Sequence, residues 1–420
     1  MSGAPASTPS VSRALEGALG ARGMLAGEAA GDWSVGGAPP LAVARPSPVE
    51  EVQAVLAVAA AQGVGVVPLG GRTDPGCEAP AGPFVALGTA RLGRIHDYEP
   101  ADLTVTAGAG ITLEELGSAL DQQGQWLPVD PSFAPRRTLG GLVATGAAGP
   151  LGTAYGQPRD HVLGLTAVTG DGRVLRLGGR VMKNVAGFDL VKLMVGSRGT
   201  LGVVISASVR LFPRPEEDRL VTLASGDAGM LLGAARAVAT GPLVPASAVL
   251  LRGGRYGSGT LALRLQGASA AVPVDQERLL PRGVDVRAVP AEEHAAALAE
   301  VRDHAADHPL VVRASALPGA LAEVLDAVGG ALPDADVAAD VLTGRVRCGV
   351  ADGRADPEAL ARLRARLESL GGSVTLERAP AELLEEVRAY GPGGRSHALG
   401  VALRRRFDPG GVLSPGRFVR

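Results

Sequence analysis

The spacing of apolar and polar residues predicts a helix and then a short buried strand early in the chain. Apolar residues recur at helical spacing along one face of residues 49–59, directly after two prolines that are typical of a first helical turn. Gly63 ends this helix, and the branched run 64–69 is typical of a buried strand. The strand leads into residues 70–76, so the pattern places a glycine-rich loop at the end of a strand.

The same two patterns, apolar residues at helical spacing and short runs of branched apolar residues, predict further helices and strands along the chain. Expected helices cover residues 11–19, 112–120, 291–307 and 357–370, and expected strands cover residues 84–87, 103–107, 162–169 and 174–177. Two prolines at 213 and 215 mark a domain boundary. The chain therefore divides into a flexible N-terminal segment with a short helix, a first domain, an α+β second domain, and a tail that packs back on the first domain. We expect these parts to cover residues 1–36, 37–214, 215–399 and 400–420.

Composition and charge restrict the class of protein. The 420 residues exceed the usual size of one compact core, and 46% hydrophobic with 20% charged residues is ordinary globular composition. A net charge of −2 with dispersed arginines gives no electrostatic field that would attract nucleic acid. Two cysteines, Cys77 and Cys348, are too few for an iron–sulfur cluster held by about four thiolates.

The sequence also restricts the expected location. Its first residues lack the basic stretch and apolar run of a secretory signal, and no stretch approaches the roughly 18 apolar residues of a membrane span. We therefore expect a cytoplasmic protein, whose association with a membrane would come only through partner subunits.

Two glycine-rich segments are candidates for binding a phosphate group. Backbone N–H groups in such loops can converge on a pyrophosphate where side chains would block its approach. The first segment is 70–76 and the second is 138–146, and Thr73, Thr138 and Thr145 add hydroxyl groups. Either segment alone would more often be a plain turn, so the prediction of a phosphate site depends on the two segments occurring together.

A third segment, residues 181–204, contains the only two lysines of a chain that otherwise uses arginine. Lys183 and Lys192 lie within ten residues of each other. Because an ammonium and a guanidinium are not interchangeable, this placement suggests a role that arginine would not fill. Chance placement and structural salt bridges are the alternatives.

An ordered set of motifs resembles the vanillyl-alcohol-oxidase (PCMH) type of FAD-binding fold, and within it the FAD-binding E subunits of glycolate oxidases. The general motifs are Arg45-Pro46 with Glu50-Glu51-Val52, Pro68 to Thr73, Thr138 to Gly141, Tyr155-Gly156, Arg159-Asp160 and Gly196 to Gly202. The motifs most specific to the E subunits are Met182 to Gly187, Leu193 to Ser197 and Asp408 to Arg417. The resemblance is dense over residues 40–214, thin over 216–395, and returns at the C-terminus.

The resemblance implies an α+β protein with FAD as cofactor. Its FAD-binding domain would have two lobes, each an α/β subdomain, followed by an α+β cap or substrate-like domain. Residues expected to contact the cofactor are Gly70, Gly71, Arg72, Thr73, Asp74, Pro131, Thr138, Gly140, Gly141, Ala144, Thr145, Gly146, Gly199, Thr200, Gly202 and Val204. Arg72 stands where relatives commonly carry glycine, and it would be strained at positive φ. Phe188 stands where tyrosine is frequent. Whether the FAD is covalently attached stays open.

The resemblance also implies a role in oxidising a small 2-hydroxy acid, such as glycolate or D-lactate, to a 2-oxo acid. The catalytic members of this superfamily are expected to carry a His-rich motif in the second half, which this sequence lacks. His304 and His308, with His294 upstream, have the spacing of a metal site but no completing carboxylate, so no metal is expected. We therefore expect an FAD-bearing subunit beside the catalytic flavoprotein D subunit and the iron–sulfur F subunit of glycolate oxidase, which would receive the electrons.

Three alternatives remain at this point. The chain could be a self-sufficient FAD-dependent 2-hydroxy-acid dehydrogenase, although the sequence names no catalytic base. It could be a scaffold subunit that has lost FAD. Finally, Gly108-Ala109-Gly110 with Asp130 partly fits an NAD-binding Rossmann motif, but Leu113 occupies the position of its third glycine. His161 could approach a flavin, although a lone histidine beside a strand is more often a packing residue.

Overall fold

A computed structural model describes residues 8–25, 32–74, 76, 78–179, 189–242, 244–278, 285–391 and 397–418. Its helices are α1 (Thr8–Leu19), α2 (Val49–Gln62), α3 (Leu113–Asp121), α4 (Leu139–Thr145), α5 (Gly152–Tyr155), α6 (Pro158–His161), α7 (Leu190–Met194), α8 (Ala228–Thr240), α9 (Val272–Arg278), α10 (Ala291–Asp303), α11 (Leu321–Ala331), α12 (Pro357–Ser369), α13 (Ala381–Glu386) and α14 (His397–Phe407).

The strands form three main sheets and one short pair. They are β1 (Met24–Leu25), β2 (Ala42–Ala44), β3 (Gly65–Leu69), β4 (Phe84–Gly88), β5 (Ile95–Glu99), β6 (Thr104–Gly108), β7 (Gln125–Trp126), β8 (Val162–Val168), β9 (Val174–Gly178), β10 (Val203–Arg210), β11 (Phe212–Pro213), β12 (Glu217–Ala224), β13 (Ser247–Arg252), β14 (Thr260–Gly267), β15 (Asp285–Ala288), β16 (Leu310–Ser315), β17 (Asp336–Asp340), β18 (Arg345–Val350) and β19 (Ser373–Arg378).

The first half of the chain contains two small sheets. A four-stranded sheet has the order β1-β2-β4-β3, in which β2, β4 and β3 run parallel, and α1 and α2 pack against it. A five-stranded antiparallel sheet has the order β5-β6-β10-β8-β9 and shares its core with α3, α4 and α7. Because β6 pairs antiparallel with both of its neighbours, it is no part of a Rossmann βαβ unit, and that alternative is wrong.

The second half is built on one eight-stranded antiparallel sheet, with the order β15-β12-β14-β13-β17-β18-β16-β19. Successive side chains along a strand point to opposite faces of the sheet, so every second side chain lies on the same face. One face carries the largest hydrophobic core, under α8, α11 and α12. On the other face, Val301 of α10 packs on a small apolar cluster of the sheet. Charged residues of β16, β18 and β19 on this face line a cavity shared with the first half of the chain.

The C-terminal residues lie against the first sheet. Val66 donates its amide to the Val412 carbonyl at 2.7 Å, and Ser414 donates to the Val66 carbonyl at 2.8 Å, so the tail runs beside β3. The buried Asp408 carboxylate accepts the amides of Val412 and Leu413 and fixes the turn that leads into this pairing. The domain bounds expected from the sequence stay a prediction.

Candidate functional site

The two glycine-rich segments lie against each other and form one groove. A Cβ atom on Gly70 would overlap the Thr138 hydroxyl, and one on Gly71 would overlap the Arg136 carbonyl oxygen. These two glycines therefore allow close approach between two segments of the chain. The sequence suggested that these glycines leave room for a ligand. In the structure they leave room for the other loop, and the contact between the two loops shapes the groove.

This glycine groove has a volume of about 60 Å³ and gathers most of the residues that the resemblance singled out. It is lined by Pro68, Leu69, Gly70, Gly71, Arg72, Thr73, Asp74, Thr89, Arg137, Thr138, Gly140, Gly141, Ala144, Thr145, Arg198, Gly199, Gly202, Val204 and Arg417. Three expected residues are not in its lining. Gly146 lines the neighbouring cavity, the buried Thr200 hydroxyl donates to the Ser197 carbonyl, and Pro131 lines neither space.

The groove offers hydrogen-bond donors and positive charge to an anion. Among the described residues, the backbone amides of residues 71–74 have no acceptor. Arg137, Arg198 and Arg417 add guanidinium groups to the lining. A pyrophosphate is the group that such converging N–H donors and arginines suit, so the residues present fit a dinucleotide.

Arg72 has a backbone conformation that favours glycine. Its φ of 55° lies in the left-handed region, which costs free energy for a residue with a Cβ. Its guanidinium is held by other parts of the chain, since Nη1 donates to the Asp32 carbonyl at 3.0 Å and the group lies 4.8 Å from the Trp33 ring centroid. These contacts offset part of the free energy that the backbone strain costs.

The threonines of the second segment are engaged within the protein. Thr138 caps α4 by accepting the Gly141 amide at 3.1 Å, which leaves its own hydroxyl hydrogen free to donate. The Thr145 hydroxyl donates to the Gly141 carbonyl at 2.7 Å and accepts from Arg137 at 3.2 Å. Thr145 therefore positions Arg137 and has no free hydrogen for a phosphate.

Asp74 and Arg198 form a buried ion pair at the end of the groove, with 3.0 Å between Oδ1 and Nη1. Burial alone would raise the pKa of Asp74, but Arg198, Arg137 and Arg417 together lower that pKa below its ordinary value. The pair ties the first glycine-rich loop to the turn that contains Gly199. It was not expected from the sequence, where the two residues are far apart.

The groove adjoins a second space, the arginine cavity, of about 180 Å³. Both spaces share Thr73, Asp74, Arg137, Thr145 and Arg198 in their linings. The opposite wall of the cavity is the charged face of the eight-stranded sheet. Its charged lining residues are Asp74, Arg137, Arg198, Arg302, Arg313, Asp340, Arg345, Arg347, Glu377 and Arg378.

Strand register concentrates three arginines on this wall. Arg313 in β16 stands directly opposite Arg347 in β18, and Arg345 lies two residues from Arg347 on the same face. Like charges opposite each other destabilise a sheet unless counter-charges compensate. Glu377 in β19 does so in part, with its carboxylate 2.9 Å from Arg347 and 3.5 Å from Arg313.

This charged cluster is held rigidly. Burial would raise the pKa of Glu377, but Arg347 and Arg313 lower it below its usual range. Arg347 also donates to the Ser132 hydroxyl at 2.5 Å, which joins the sheet to the first half of the chain. Asp340, opposite Arg345 in the register, accepts the amides of Leu342 and Thr343 instead, and burial raises its pKa.

The arginine cavity was not predicted from the sequence. A local signal did exist, because arginines alternate with core residues in Arg345-Val346-Arg347-Cys348, on a strand that is otherwise apolar. Alternation alone does not tell whether the outward face meets solvent or another part of the chain.

The histidines and lysines considered from the sequence lie elsewhere. The helix expected over 291–307 ends at Asp303, and residues 304–306 form a turn. His304 bonds to the Arg252 carbonyl at 2.8 Å and His308 to Asp336 at 3.0 Å, so the two rings have separate partners.

The other residues that the sequence singled out, His161 and Lys192, make contacts within the protein. Within the described ranges, no three His, Cys, Asp or Glu side chains gather as metal ligands do. His161 is buried with its ring 5.8 Å from that of Phe212. Lys192 makes a surface ion pair with Asp189 at 3.4 Å, whereas Lys183 and Phe188 lie outside the described residues.

Residues 40–178 match the family model for the FAD binding domain. This match covers part of the chain and identifies residues 40–178 as an FAD binding domain. The expected α+β fold class and FAD as cofactor are thereby confirmed, and the names of the curated relatives agree with the expected oxidoreductase class.

Curated relatives are named dehydrogenases and oxidase subunits. D-2-hydroxyglutarate dehydrogenase of Xanthomonas citri pv. viticola is 43% identical over 209 residues, which cover 49% of this chain and 44% of the relative. Glycolate oxidase subunit GlcE of Escherichia coli is 48% identical over 122 residues, 29% of this chain and 35% of the relative. Subunit GlcD of Bacillus subtilis is 35% identical over 178 residues, 42% and 38% of the two chains. Each match spans less than half the length of the relative.

Solved structures share the fold over nearly the whole chain. An alkyldihydroxyacetonephosphate synthase superposes with a TM-score of 0.74 at 16% identity, covering 99% of this chain and 86% of that one. A p-cresol methylhydroxylase superposes with a TM-score of 0.71 at 17% identity, covering 98% and 96%. At this identity the likeness establishes the fold alone. None of the helices in the described part of the chain is long and apolar enough to cross a membrane.

Proposed function

We propose that this protein binds FAD in the glycine groove and oxidises a small 2-hydroxy acid in the adjoining arginine cavity. The observation that carries the proposal is that the groove shares wall residues with a cavity rich in guanidinium groups. A substrate carboxylate is stabilised by such groups, since arginine recognises carboxylates through charge-assisted and often bidentate hydrogen bonds.

The cofactor contacts follow from the groove. We assign the pyrophosphate to the amides of residues 71–74, which have no acceptor among the described residues, and to Arg198, and the remaining FAD contacts to the predicted residues that line the groove. FAD held there would supply the two-electron oxidant that converts a 2-hydroxy acid to a 2-oxo acid, with the hydroxyl proton passing to solvent. The chain's own part is to bind the acid, orient it and exclude water.

A second proposal concerns the partners of this reaction. The likeness to proteins named glycolate oxidase subunits supports a role as the FAD-bearing E-type subunit, which passes electrons to an iron–sulfur partner. The two cysteines in the sequence are too few to hold such a cluster. The alternative function is that of a self-sufficient dehydrogenase. The likeness to D-2-hydroxyglutarate dehydrogenase and the charged cavity within the chain favour this alternative.

One experiment tests the reaction and separates these two candidates. The chain is purified, its visible spectrum is recorded, and glycolate, D-lactate and D-2-hydroxyglutarate are added anaerobically, with acetate as a control that lacks the 2-hydroxyl group. We expect a flavin spectrum that one of the hydroxy acids bleaches and acetate does not.

The outcomes divide the proposals clearly. Bleaching of the isolated chain favours the self-sufficient dehydrogenase, whereas bleaching only after the D-type and iron–sulfur subunits are added favours the E-type subunit. A chain that takes up no FAD during reconstitution contradicts the proposed cofactor site. A flavin that no 2-hydroxy acid reduces, even with both partners present, contradicts the proposed reaction.

A further inference from the structure

The last described residues of the chain lie against two segments that border the glycine groove. The Ala81 amide donates to the Pro415 carbonyl at 2.9 Å, and the Ser414 hydroxyl donates to the Gly199 carbonyl at 3.3 Å. Gly199 lines the groove, and Ala81 follows the first glycine-rich loop. The C-terminal tail therefore runs along the edge of the groove, and Arg417 near its end is one of the lining residues.

Arg404 in α14 holds the backbone of this tail. Its Nη2 donates to the Leu413 carbonyl at 2.7 Å and to the Ser414 carbonyl at 3.3 Å, and its Nη1 donates to the Arg417 carbonyl at 3.3 Å. The backbone at Arg417 is thus fixed before any ligand binds, and binding would order only its side chain. Such preorganisation reduces the entropy that is lost when a ligand binds.

The guanidinium of Arg417 lies beside the first glycine-rich loop. A Cβ on Gly76 would overlap the guanidinium, and Nη1 donates to the Arg198 carbonyl at 3.3 Å. The amides of residues 71–74 in the same loop have no acceptor among the described residues. Arg417 and these residues line one groove, so a pyrophosphate in it would accept hydrogen bonds from both.

The charges in the groove favour an anion. Among the described residues, four arginines and a single carboxylate line it: Arg72, Arg137, Arg198, Arg417 and Asp74. Positive charge therefore exceeds negative charge in the lining, although Asp74 pairs with Arg198 at 3.0 Å. A pyrophosphate carries two negative charges and suits such a lining. Arg417 was not among the residues that the sequence predicted to contact the cofactor.

We propose that Arg417 binds the pyrophosphate of FAD, which makes the C-terminal tail a part of the cofactor site. This inference rests on the proposed function and deepens it by adding a residue from the far end of the chain to the site. Arg404 is a positioning residue, because it acts on the cofactor only through the tail that it holds.

Variants of Arg417 test the contact directly. FAD is titrated into the flavin-free protein, and binding is followed by flavin fluorescence. Arg417→Gln is expected to weaken FAD binding by at least about tenfold, the order of one lost charge-assisted hydrogen bond. Arg417→Lys should retain part of the affinity because it keeps the charge. Arg405→Gln, which removes an exposed arginine from α14, is the matched control, and equal FAD affinity in Arg417→Gln and Arg405→Gln would overturn the proposal.

The dependence of FAD affinity on salt separates a direct contact from a loosened tail. Salt screens the attraction between a guanidinium and a phosphate. The affinity of the wild type should therefore fall more steeply with added NaCl than that of Arg417→Gln. Equal slopes would contradict a contact between Arg417 and the phosphates.

A double variant tests the role of Arg404. Arg404→Gln should weaken FAD binding less than Arg417→Gln does, and it should cause no further loss in a protein that already carries Arg417→Gln. Losses that add in the double variant would contradict the positioning role.

A measurement on the wild type needs no variant. Arginines are modified with phenylglyoxal in the presence and absence of FAD, and mass spectrometry gives the rate of modification at each position. We expect FAD to slow the modification of Arg417 and to leave that of Arg405 unchanged. Equal rates at Arg417 with and without FAD would overturn the proposal.

The proposed cofactor site and this inference can fail separately. If Gly71→Ala, which pushes the two glycine-rich loops apart, weakens FAD binding and Arg417→Gln does not, the groove is supported and the role of the tail is contradicted. If neither variant changes the affinity for FAD, both the groove and the tail are contradicted as parts of the cofactor site.

Discussion

At the scale of single residues, Asp130 has a strongly raised pKa. Its side chain accepts the Leu151 amide at 2.9 Å. Burial raises its pKa to about 7, although the Leu151 amide, Arg264 and Arg302 oppose that rise. In the Rossmann interpretation this residue would have bound a ribose, whereas in the structure it lies against Gly149, a residue that lines the arginine cavity.

This perturbation predicts a dependence of stability on pH. Between about pH 4 and pH 7 the unfolded chain ionises Asp130 while the folded chain keeps the proton, so rising pH destabilises the folded state across that window. The loss amounts to on the order of 4 kcal/mol at most. Asp130→Asn removes it and can still accept the Leu151 amide.

Chemical denaturation of the wild type and Asp130→Asn from pH 4 to pH 8 measures the effect. The variant should gain stability relative to the wild type as pH rises to about 7, with a constant difference above that pH. Asp334→Asn, at an exposed position, serves as the control. A difference for Asp130→Asn that does not change with pH would refute this prediction.

At the scale of elements, periodicity predicted most helices and strands, because each signal lies within a few neighbouring residues. The capping box at Thr112 and Glu115, for example, begins α3 as its sequence predicts. The end of α10 was wrong by four residues: residues 304–306 form a turn, where the His304 ring bonds to the Arg252 carbonyl, a contact that the local pattern does not show. The contact between the two glycine-rich loops was beyond prediction, because it joins segments about 65 residues apart and depends on how they pack.

That loop contact predicts the effect of a single methyl group. Gly71→Ala should place a Cβ against the Arg136 carbonyl, force the two loops apart and weaken FAD binding by at least about tenfold, with stability lowered by roughly 1–3 kcal/mol. Gly117→Ala in α3 is the matched control, because its Cβ would meet nothing within 4 Å and a helical alanine is favourable. FAD fluorescence titration and thermal unfolding measure the two effects, and equal FAD affinity in both variants would show that the loop contact does not shape the cofactor site.

At the scale of the whole molecule, the arginine cavity exists only where the two halves of the chain meet. The arginines of the eight-stranded sheet come from strands that are far apart in the sequence. The sequence of each strand indicates only that some of its side chains face away from a core. Which surface lies opposite is a property of the assembled molecule, and for that reason the sequence predicted the groove better than the cavity. The second half also lacks the motifs that made the resemblance dense in the first.

The two halves have separate main hydrophobic cores, joined by a small apolar cluster of Trp126, Leu151 and Ala246, and many of the other contacts between them are polar. Such contacts include Tyr155 with Gln266 at 3.0 Å, the Phe133 amide with Asp303 at 2.9 Å, and Ser132 with Arg347. Polar contacts between separate cores couple domains weakly, so we expect calorimetry to show two unfolding transitions. FAD at 100 times its dissociation constant should stabilise the first half by about 2.7 kcal/mol and raise mainly its transition, because the proposed contacts lie in the groove. A carboxylate ligand bound in the arginine cavity, whose lining comes from both halves, should instead raise both transitions. A single transition that shifts as a whole with either ligand would show that the halves unfold as one unit.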